Sequence, residues 1–254
     1  MNRTTLTLPA RAAKPRTSGL TMVIDGGLPL GLFTDLIELG GEYIDYVKFG
    51  WGTSVVTPCL REKIGVLDSH GIEFYFGGTL FEKFVLQGRF EDFRRYCEEY
   101  SCRHLEVSNG TIEMSNAEKA GYVRKLAHDF TVVSEVGFKD PGRSEMLPPS
   151  EWVASIKEDL DAGASLVTLE ARESGSSGIC RPDGELRYGL IEDVLQAGIA
   201  IDRLLFEAPT TALQKHMITR VGPDVNLGNV PAQGVIGLET LRLGLRSDTL
   251  ATFE

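Results

Sequence analysis

Residues 131–140 read Thr-Val-Val-Ser-Glu-Val-Gly-Phe-Lys-Asp. Val132, Val133 and Val136 are β-branched and apolar, the side chains that pack well on a pleated interior. Glu135 breaks the apolar run, and Lys139 follows just past Gly137. A carboxylate buried alone is costly, so Glu135 needs a cation, a metal ion or water beside it. The same construction recurs along the chain. Apolar runs end at Asp25, Lys48, Glu106, Glu135, Glu170, Glu207 and Asn226. Seven such endings among eight candidate strands place these polar groups on one shared rim.

Working outward from 131–140, the other candidate strands lie at 19–25, 43–49, 72–76, 104–107, 166–170, 204–207 and 225–227. Helical segments fall between them, at 30–40, from 53 to about 70, 81–100 with a break at Gly88, 115–128, 150–162, 185–197, 210–221 and 232–245. Ser115 and Glu118 stand in capping-box spacing at the start of one of these. The stretch 140–149, with three prolines, reads as a long loop. Strands alternating with helices imply a parallel sheet with helical crossovers. Eight such units imply an α/β fold closed as a (β/α)8 TIM barrel in one domain, for which about 250 residues is typical; the chain has 254. No GxGxxG follows the first strand, so a dinucleotide-binding sheet lacks its main support.

The barrel is placed at 19–254. Residues 1–18 carry Arg3, Arg11, Lys14 and Arg16 and no acid, and lack the apolar block of a secretory signal. They read as a basic, loosely held N-terminal arm. The formal net charge of −10 argues against a general nucleic-acid binder, and no apolar run reaches the ~18 residues of a membrane span. Cys59, Cys97, Cys102 and Cys180 show neither CxxC nor zinc spacing, which reads as reduced thiols in a cytoplasmic protein. A homo-oligomer is the expectation for such a barrel.

In a (β/α)8 barrel the active site lies at the C-terminal ends of the strands, where the rim residues fall. Alternate residues of a strand share a face, so Val133 is grouped with Glu135, Thr168 with Glu170 and Val23 with Asp25. The expected site is a ring of carboxylates with Lys48, Lys139 and Arg172 as its cations. Converging carboxylates with few histidines fit a hard divalent cation, Mg²⁺ foremost; ion pairing of the same glutamates for barrel stability is the competing reading. The 172–178 loop, rich in Gly and Ser behind Arg172, reads either as a phosphate cradle or as a flexible lid. Lys139 qualifies as a general acid if burial and neighbouring cations lower its pKa. The residues by themselves thus point to a Mg²⁺-dependent barrel enzyme acting on a small phosphorylated or carboxylated anion.

Several segments, in order and spanning nearly everything from residue 19 onward, carry a family resemblance. They are Gly19-Leu-Thr with Asp25 and Gly27-Leu-Pro29, the run Tyr43-Ile-Asp-Tyr-Val-Lys-Phe-Gly-Trp-Gly-Thr-Ser54, and Gly77-Gly-Thr-Leu-Phe-Glu82. Ser134-Glu-Val-Gly137 with Lys139, Arg172-Glu-Ser-Gly175, Phe206-Glu-Ala-Pro209, Val225-Asn-Leu227 and Leu238-Glu-Thr-Leu-Arg242 with Gly244-Leu-Arg246 follow. The chain so resembles phosphosulfolactate synthase, the enzyme family of coenzyme M biosynthesis. The resemblance implies a lyase that adds sulfite to phosphoenolpyruvate with Mg²⁺, through an enolate (aci-carboxylate), to give (2R)-phospho-3-sulfolactate. It assigns Lys139 as the acid that protonates C2 and Lys48 as a second catalytic cation. Glu106, Glu135 and Glu170 become the metal ligands, with Glu207 as an additional one. Asp25, Lys48, Arg172, Ser174, Gly175 and Asn226 become the substrate-binding set. The chain departs from the family pattern at Gly26 and Phe138, where lysines are usual, at Asn109, where an acid is usual, and over 210–213, usually more polar. Two other readings therefore stand beside the first. One is a phosphoenolpyruvate-using enzyme with a different co-substrate in specialised metabolism. The other is a non-catalytic scaffold or stress-related barrel, as in a distant plant branch of the family.

Overall fold

The computed structural model describes residues 5–172 and 174–253. Residues 1–4 of the N-terminal arm and Glu173 of the 172–178 loop lie outside that set. Among the described residues eight strands alternate with helices. They run β1 Thr21–Asp25, β2 Tyr46–Phe49, β3 Glu73–Phe76, β4 His104–Val107, β5 Thr131–Val136, β6 Leu166–Leu169, β7 Leu204–Glu207 and β8 Leu227–Pro231. The helices are α1 Leu30–Gly40, α2 Thr53–Val56, α3 Leu60–Ser69, α4 Gly78–Leu86, α5 Phe90–Glu99 and α6 Asn116–Leu126. They continue as α7 Pro141–Met146, α8 Pro149–Asp161, α9 Tyr188–Gln196, α10 Thr211–Val221 and α11 Val235–Arg242.

Every strand pairing is parallel, in the order β3-β2-β1-β8-β7-β6-β5-β4. β3 and β4 lie side by side at the ends of this sheet. The eight-stranded (β/α)8 barrel read from the sequence is thus the observed fold. Local chemistry accounts for many of its boundaries. Ser115 and Glu118 cap α6 reciprocally, and Gly88 at φ +68° separates α4 from α5. The proline-rich 140–149 stretch contains a further short helix, α7, because Asp140 caps it by accepting from the Arg143 amide at 2.8 Å and Pro141 needs no partner for a missing N–H.

The strand expected at 225–227 is displaced. β8 begins at Leu227, so Val225 and Asn226 precede it. Its pairing with β1 is irregular: Thr21 faces Leu227, but Val23 faces Val230. Two steps along β1 therefore match three along β8, which makes a bulge at Gly228–Asn229. Asn229 takes up the extra residue with φ +50°; asparagine tolerates that left-handed region better than most residues. A Cβ on Gly228 would stand 2.9 Å from Met22 Cε and 3.2 Å from a Leu205 methyl, so the barrel interior leaves room for glycine alone.

The N-terminal end of the barrel is crossed by the chain's own cations. Arg11 donates to Glu239 at 2.9 Å and Asp224 at 2.8 Å, and Lys14 to the Ile44 carbonyl at 2.6 Å. Arg16 pairs with Asp45 at 2.8 Å, whose other oxygen accepts from the Thr21 amide. The opposite, C-terminal end is left to the site.

Candidate active site

A cavity of about 180 Å³ opens at the C-terminal ends of the strands. Lys48 of β2, Glu106 of β4, Glu135 of β5, Glu170 just after β6 and Glu207 of β7 all line it. Sequence reasoning points to each of these, together with Lys139 and Arg172, which also reach the wall. The five strand-end residues are at most 4% exposed, so their charges answer mainly to one another.

Lys48 Nζ lies 3.2 Å from Glu106 Oε1 and 3.1 Å from Glu207 Oε1. Lys139 Nζ lies 2.6 Å from Glu135 Oε1 and 3.0 Å from Glu170 Oε2. Burial by itself would depress Lys48, but Glu106 and Glu207 outweigh it and hold the ammonium well above its usual range. Glu135 and Glu170 do the same for Lys139. The expectation of a lowered Lys139 pKa is thereby corrected: its nearest charged neighbours are carboxylates. Desolvation raises Glu106, Glu135 and Glu170 despite those lysines, and Glu207 adds to the rise at Glu170.

Backbone amides complete the carboxylate contacts. Glu106 Oε2 accepts from the Gly78 amide at 2.6 Å, at the start of α4. A Cβ on Gly78 would meet Ser108 Oγ at 2.4 Å, so this close approach needs glycine. Glu207 Oε2 accepts from the Ala171 amide at 2.9 Å, and Glu170 Oε1 from the Arg172 amide at 2.5 Å. Gly77, Gly78 and Thr79 bring the N-terminal turn of α4 onto the cavity wall, where its amides and dipole favour an anion.

Of the four glutamates expected from the sequence, three form the tightest acidic cluster. Ligand oxygens of Glu135, Glu170 and Glu207 lie within 4.8 Å of one another. Glu106 faces the same cavity, with its oxygens held by Lys48 and the Gly78 amide, but it lies outside that close-set trio. Four buried carboxylates against the cations of Lys48, Lys139 and Arg172 leave the cavity lining one negative charge in excess (4 − 3 = 1). An all-oxygen donor set with surplus negative charge fits a hard divalent cation such as Mg²⁺.

Two of the expected site residues are turned elsewhere. Ile24 of β1 faces the cavity and its neighbour Asp25 faces the helix layer. There Asp25 Oδ2 pairs with the fully buried Lys63 of α3 at 2.5 Å, and Oδ1 accepts from the Gly27 and Leu28 amides at 2.8 Å each. Asp25 thus sets the β1–α1 loop and does not touch the cavity. Asn226 lies before β8, at the far end of the barrel. Its oxygen accepts from the Leu20 amide at 3.0 Å, and its NH₂ donates to the carbonyls of Asp202 and Leu204. Ser174 and Gly175 follow Arg172 in the loop but are not on the cavity wall among the described residues. Ser174 Oγ is 2.5 Å from Ser176 Oγ.

Sequence reasoning also misses residues that do line the cavity, Asn229 and Trp51. Asn229 donates its NH₂ to Glu207 Oε1. Trp51 holds φ +52° and covers Gly26, where a Cβ would stand 3.2 Å from the indole ring. A bulge inside an apolar strand leaves no periodic signal. The Trp51 position is legible only as part of the Lys48–Ser54 motif.

Comparison with known proteins agrees with this architecture. The family model described as (2R)-phospho-3-sulfolactate synthase (ComA) matches residues 9–248. Phosphosulfolactate synthase of Bacillus subtilis is 50% identical over 98% of this chain and 99% of its own length. The enzyme of that name from Methanothermobacter thermautotrophicus is 40% identical, over 98% of each chain. Among solved structures, 3-hexulose-6-phosphate synthase from Salmonella typhimurium shares the fold at a TM-score of 0.59 and 11% identity, covering 89% of this chain and 100% of that one. With a family model spanning nearly its whole length and relatives at this identity, the chain belongs to the phosphosulfolactate synthase family.

Proposed function

We propose that the cavity adds sulfite to phosphoenolpyruvate to give (2R)-phospho-3-sulfolactate, a carbon–sulfur lyase reaction in the synthetic direction. The observation that carries this reading is the pair of ammoniums, Lys48 and Lys139, held in one buried cavity with the Glu135, Glu170 and Glu207 cluster. The sulfite sulfur bonds to C3, the C2–C3 π pair moves through C2 into the carboxylate, and the resulting aci-carboxylate takes one proton at C2. Lys48 sets positive charge where that dianion develops, a form of preorganised electrostatic stabilisation. Lys139, on the cavity rim with its side chain 25% exposed, holds the proton delivered to C2. Arg172 and the N-terminal turn of α4 at Thr79, beyond the Gly77 and Gly78 amides that Phe49 and Glu106 already engage, would receive phosphate.

Glu135, Glu170 and Glu207 would hold Mg²⁺, with Glu106 retained as the partner of Lys48. A bound Mg²⁺ would supply Lewis-acid stabilisation of the carboxylate dianion and offset the negative charge that raises Lys139. Phosphorus NMR of the purified protein with phosphoenolpyruvate, Mg²⁺ and sulfite tests the reading, beside a Lys139→Ala control. A new phosphate-ester resonance that requires sulfite and is lost in the variant is expected. An unchanged phosphoenolpyruvate signal would remove sulfite as the co-substrate.

A further inference from the structure

Asn229 occupies the β8 bulge, and the bulge is what aims it. Gly228 already faces the barrel interior, toward Met22 and Leu205. In a regular strand the next residue would face the helices. The extra residue, taken up at φ +50°, turns Asn229 inward as well, onto the cavity wall. Bulges beside active sites commonly re-aim a side chain in this way.

The amide orientation follows from its partner. Glu207 Oε1 also accepts from Lys48 Nζ at 3.1 Å, so it presents an acceptor to Asn229. Asn229 turns its NH₂ to Glu207 Oε1, and its Oδ1 makes no contact with Glu207. That oxygen is buried, in a residue 5% exposed, and has no hydrogen-bond partner. Leaving a buried acceptor unpaired is unfavourable, so the group has a use to account for. Neither nearby ammonium reaches it: Lys48 is drawn to Glu106 and Glu207, and Lys139 to Glu135 and Glu170. Phosphoenolpyruvate and sulfite arrive as anions whose oxygens accept, and an amide oxygen would repel them. A cation is the ligand that an unpaired acceptor beside Glu207 suits.

We propose that Asn229 Oδ1 is a fourth protein oxygen for the divalent cation held by Glu135, Glu170 and Glu207. The inference rests on the cation reading above. Neutral amide oxygens are ordinary ligands for hard cations, and this one adds a donor without adding charge to an already acidic cluster.

Mn²⁺ binding, followed by electron paramagnetic resonance of the free ion, tests it on the full chain without turnover. The wild type, Glu170→Gln, Asn229→Gly and Asn229→Asp are compared. Glycine suits φ +50° and removes the oxygen; aspartate tolerates the same backbone and keeps an oxygen while losing the NH₂ donor. Asn229→Gly is expected to weaken Mn²⁺ binding by about 10–100-fold, and Asn229→Asp to bind at least as tightly as the wild type. Asn229→Gly within twofold of the wild type would overturn the proposal. So would Asn229→Asp as weak as Asn229→Gly, because the residue would then act only by donating to Glu207. Wild-type protein that binds no Mn²⁺ would remove the cation reading and this inference together, whereas binding lost in Glu170→Gln alone would spare the first and sink the second. Melting of each variant in EDTA confirms that it is folded before titration.

Discussion

Lys139 Nζ sits 2.6 Å from Glu135 Oε1, four residues back along the chain and across the turn at Gly137. Gly137 makes this return possible. Its φ is +125°, and a Cβ there would stand 2.6 Å from the Trp152 ring and 2.7 Å from Glu170 Cβ. The chain can thus fold its lysine back over the carboxylates of β5 and β6. Lys139→Ala is expected to lower kcat by about 10²–10⁴-fold, the usual range for loss of a general acid. Phosphoenolpyruvate binding, read by fluorescence or calorimetry, should weaken far less. Loss of binding in proportion to rate would make Lys139 a binding cation and not the acid.

Lys48 has a heavier structural duty, since it faces Glu106 and Glu207 inside the barrel. Lys48→Met leaves both carboxylates without their ammonium, and breaking a buried pair from one side costs about 3–5 kcal/mol. Urea denaturation without divalent ions should show a loss of that order. The pH dependence has a definite sign. The folded-state pKa of Lys48 is raised above 10.5, so the native state keeps a proton that the unfolded chain releases. Its stabilisation is complete below about 10.5 and fades as pH rises through the folded value. The wild-type advantage over Lys48→Met should therefore hold across neutral pH and shrink only in strong alkali.

Much of this is legible in the sequence, and the exceptions share a cause. Glu106, Glu135, Glu170 and Glu207 stand out because an acid that interrupts a β-branched run needs a polar partner at the strand end, and the barrel gathers those ends in one place. Asp25 is misplaced by the same reasoning because Val23 and Asp25 are both buried. Alternation names two faces without saying which is inside, and in β1 the buried Lys63 gives the outer face its own counter-ion. Asn226 draws attention away from Asn229 because the apolar run 225–227 resembles a strand. The true strand contains a bulge, and a bulge breaks the period of two on which such reading depends. Which three of the four expected glutamates cluster most tightly is a matter of distances between strands, which spacing along one chain does not encode.

Glu170 yields a prediction of the opposite sign to Lys48. Burial and the neighbouring Glu207 raise its pKa above 4.5, so as a carboxylate it destabilises the metal-free fold. That penalty is fully present above its folded pKa and disappears as pH falls through that value toward 4.5. Glu170→Gln should therefore melt higher than the wild type at pH 8 in EDTA, with each kcal/mol worth about 2–4 °C in a chain of this size. The gap should close on acidification. Excess Mg²⁺ should reverse the order at pH 8, because ligand binding stabilises only the form that keeps the carboxylate. A gap independent of pH would show that the effect comes from packing and not from charge.

The 172–178 loop can be tested through two of its glycines, which share a backbone conformation and differ in surroundings. Gly175 has φ +64°, and a Cβ there would come no nearer than 3.8 Å to Leu213. Gly175→Ala should cost only the left-handed penalty of about 1–2 kcal/mol. Gly178 has φ +66°, but its Cβ would stand 1.7 Å from the Glu170 carbonyl oxygen. That same carbonyl accepts from the Ile179 amide at 2.8 Å, and the Gly178 amide donates to Ser144 Oγ at 2.9 Å. An alanine must push the loop off β6 and move Glu170 with it. Gly178→Ala should therefore lose more stability than Gly175→Ala and also weaken Mn²⁺ binding, which Gly175→Ala should leave nearly intact. Equal melting temperatures and equal Mn²⁺ affinities in the two variants would mean that the loop yields freely at Gly178, and that Glu170 is positioned by its lysine and amide contacts alone.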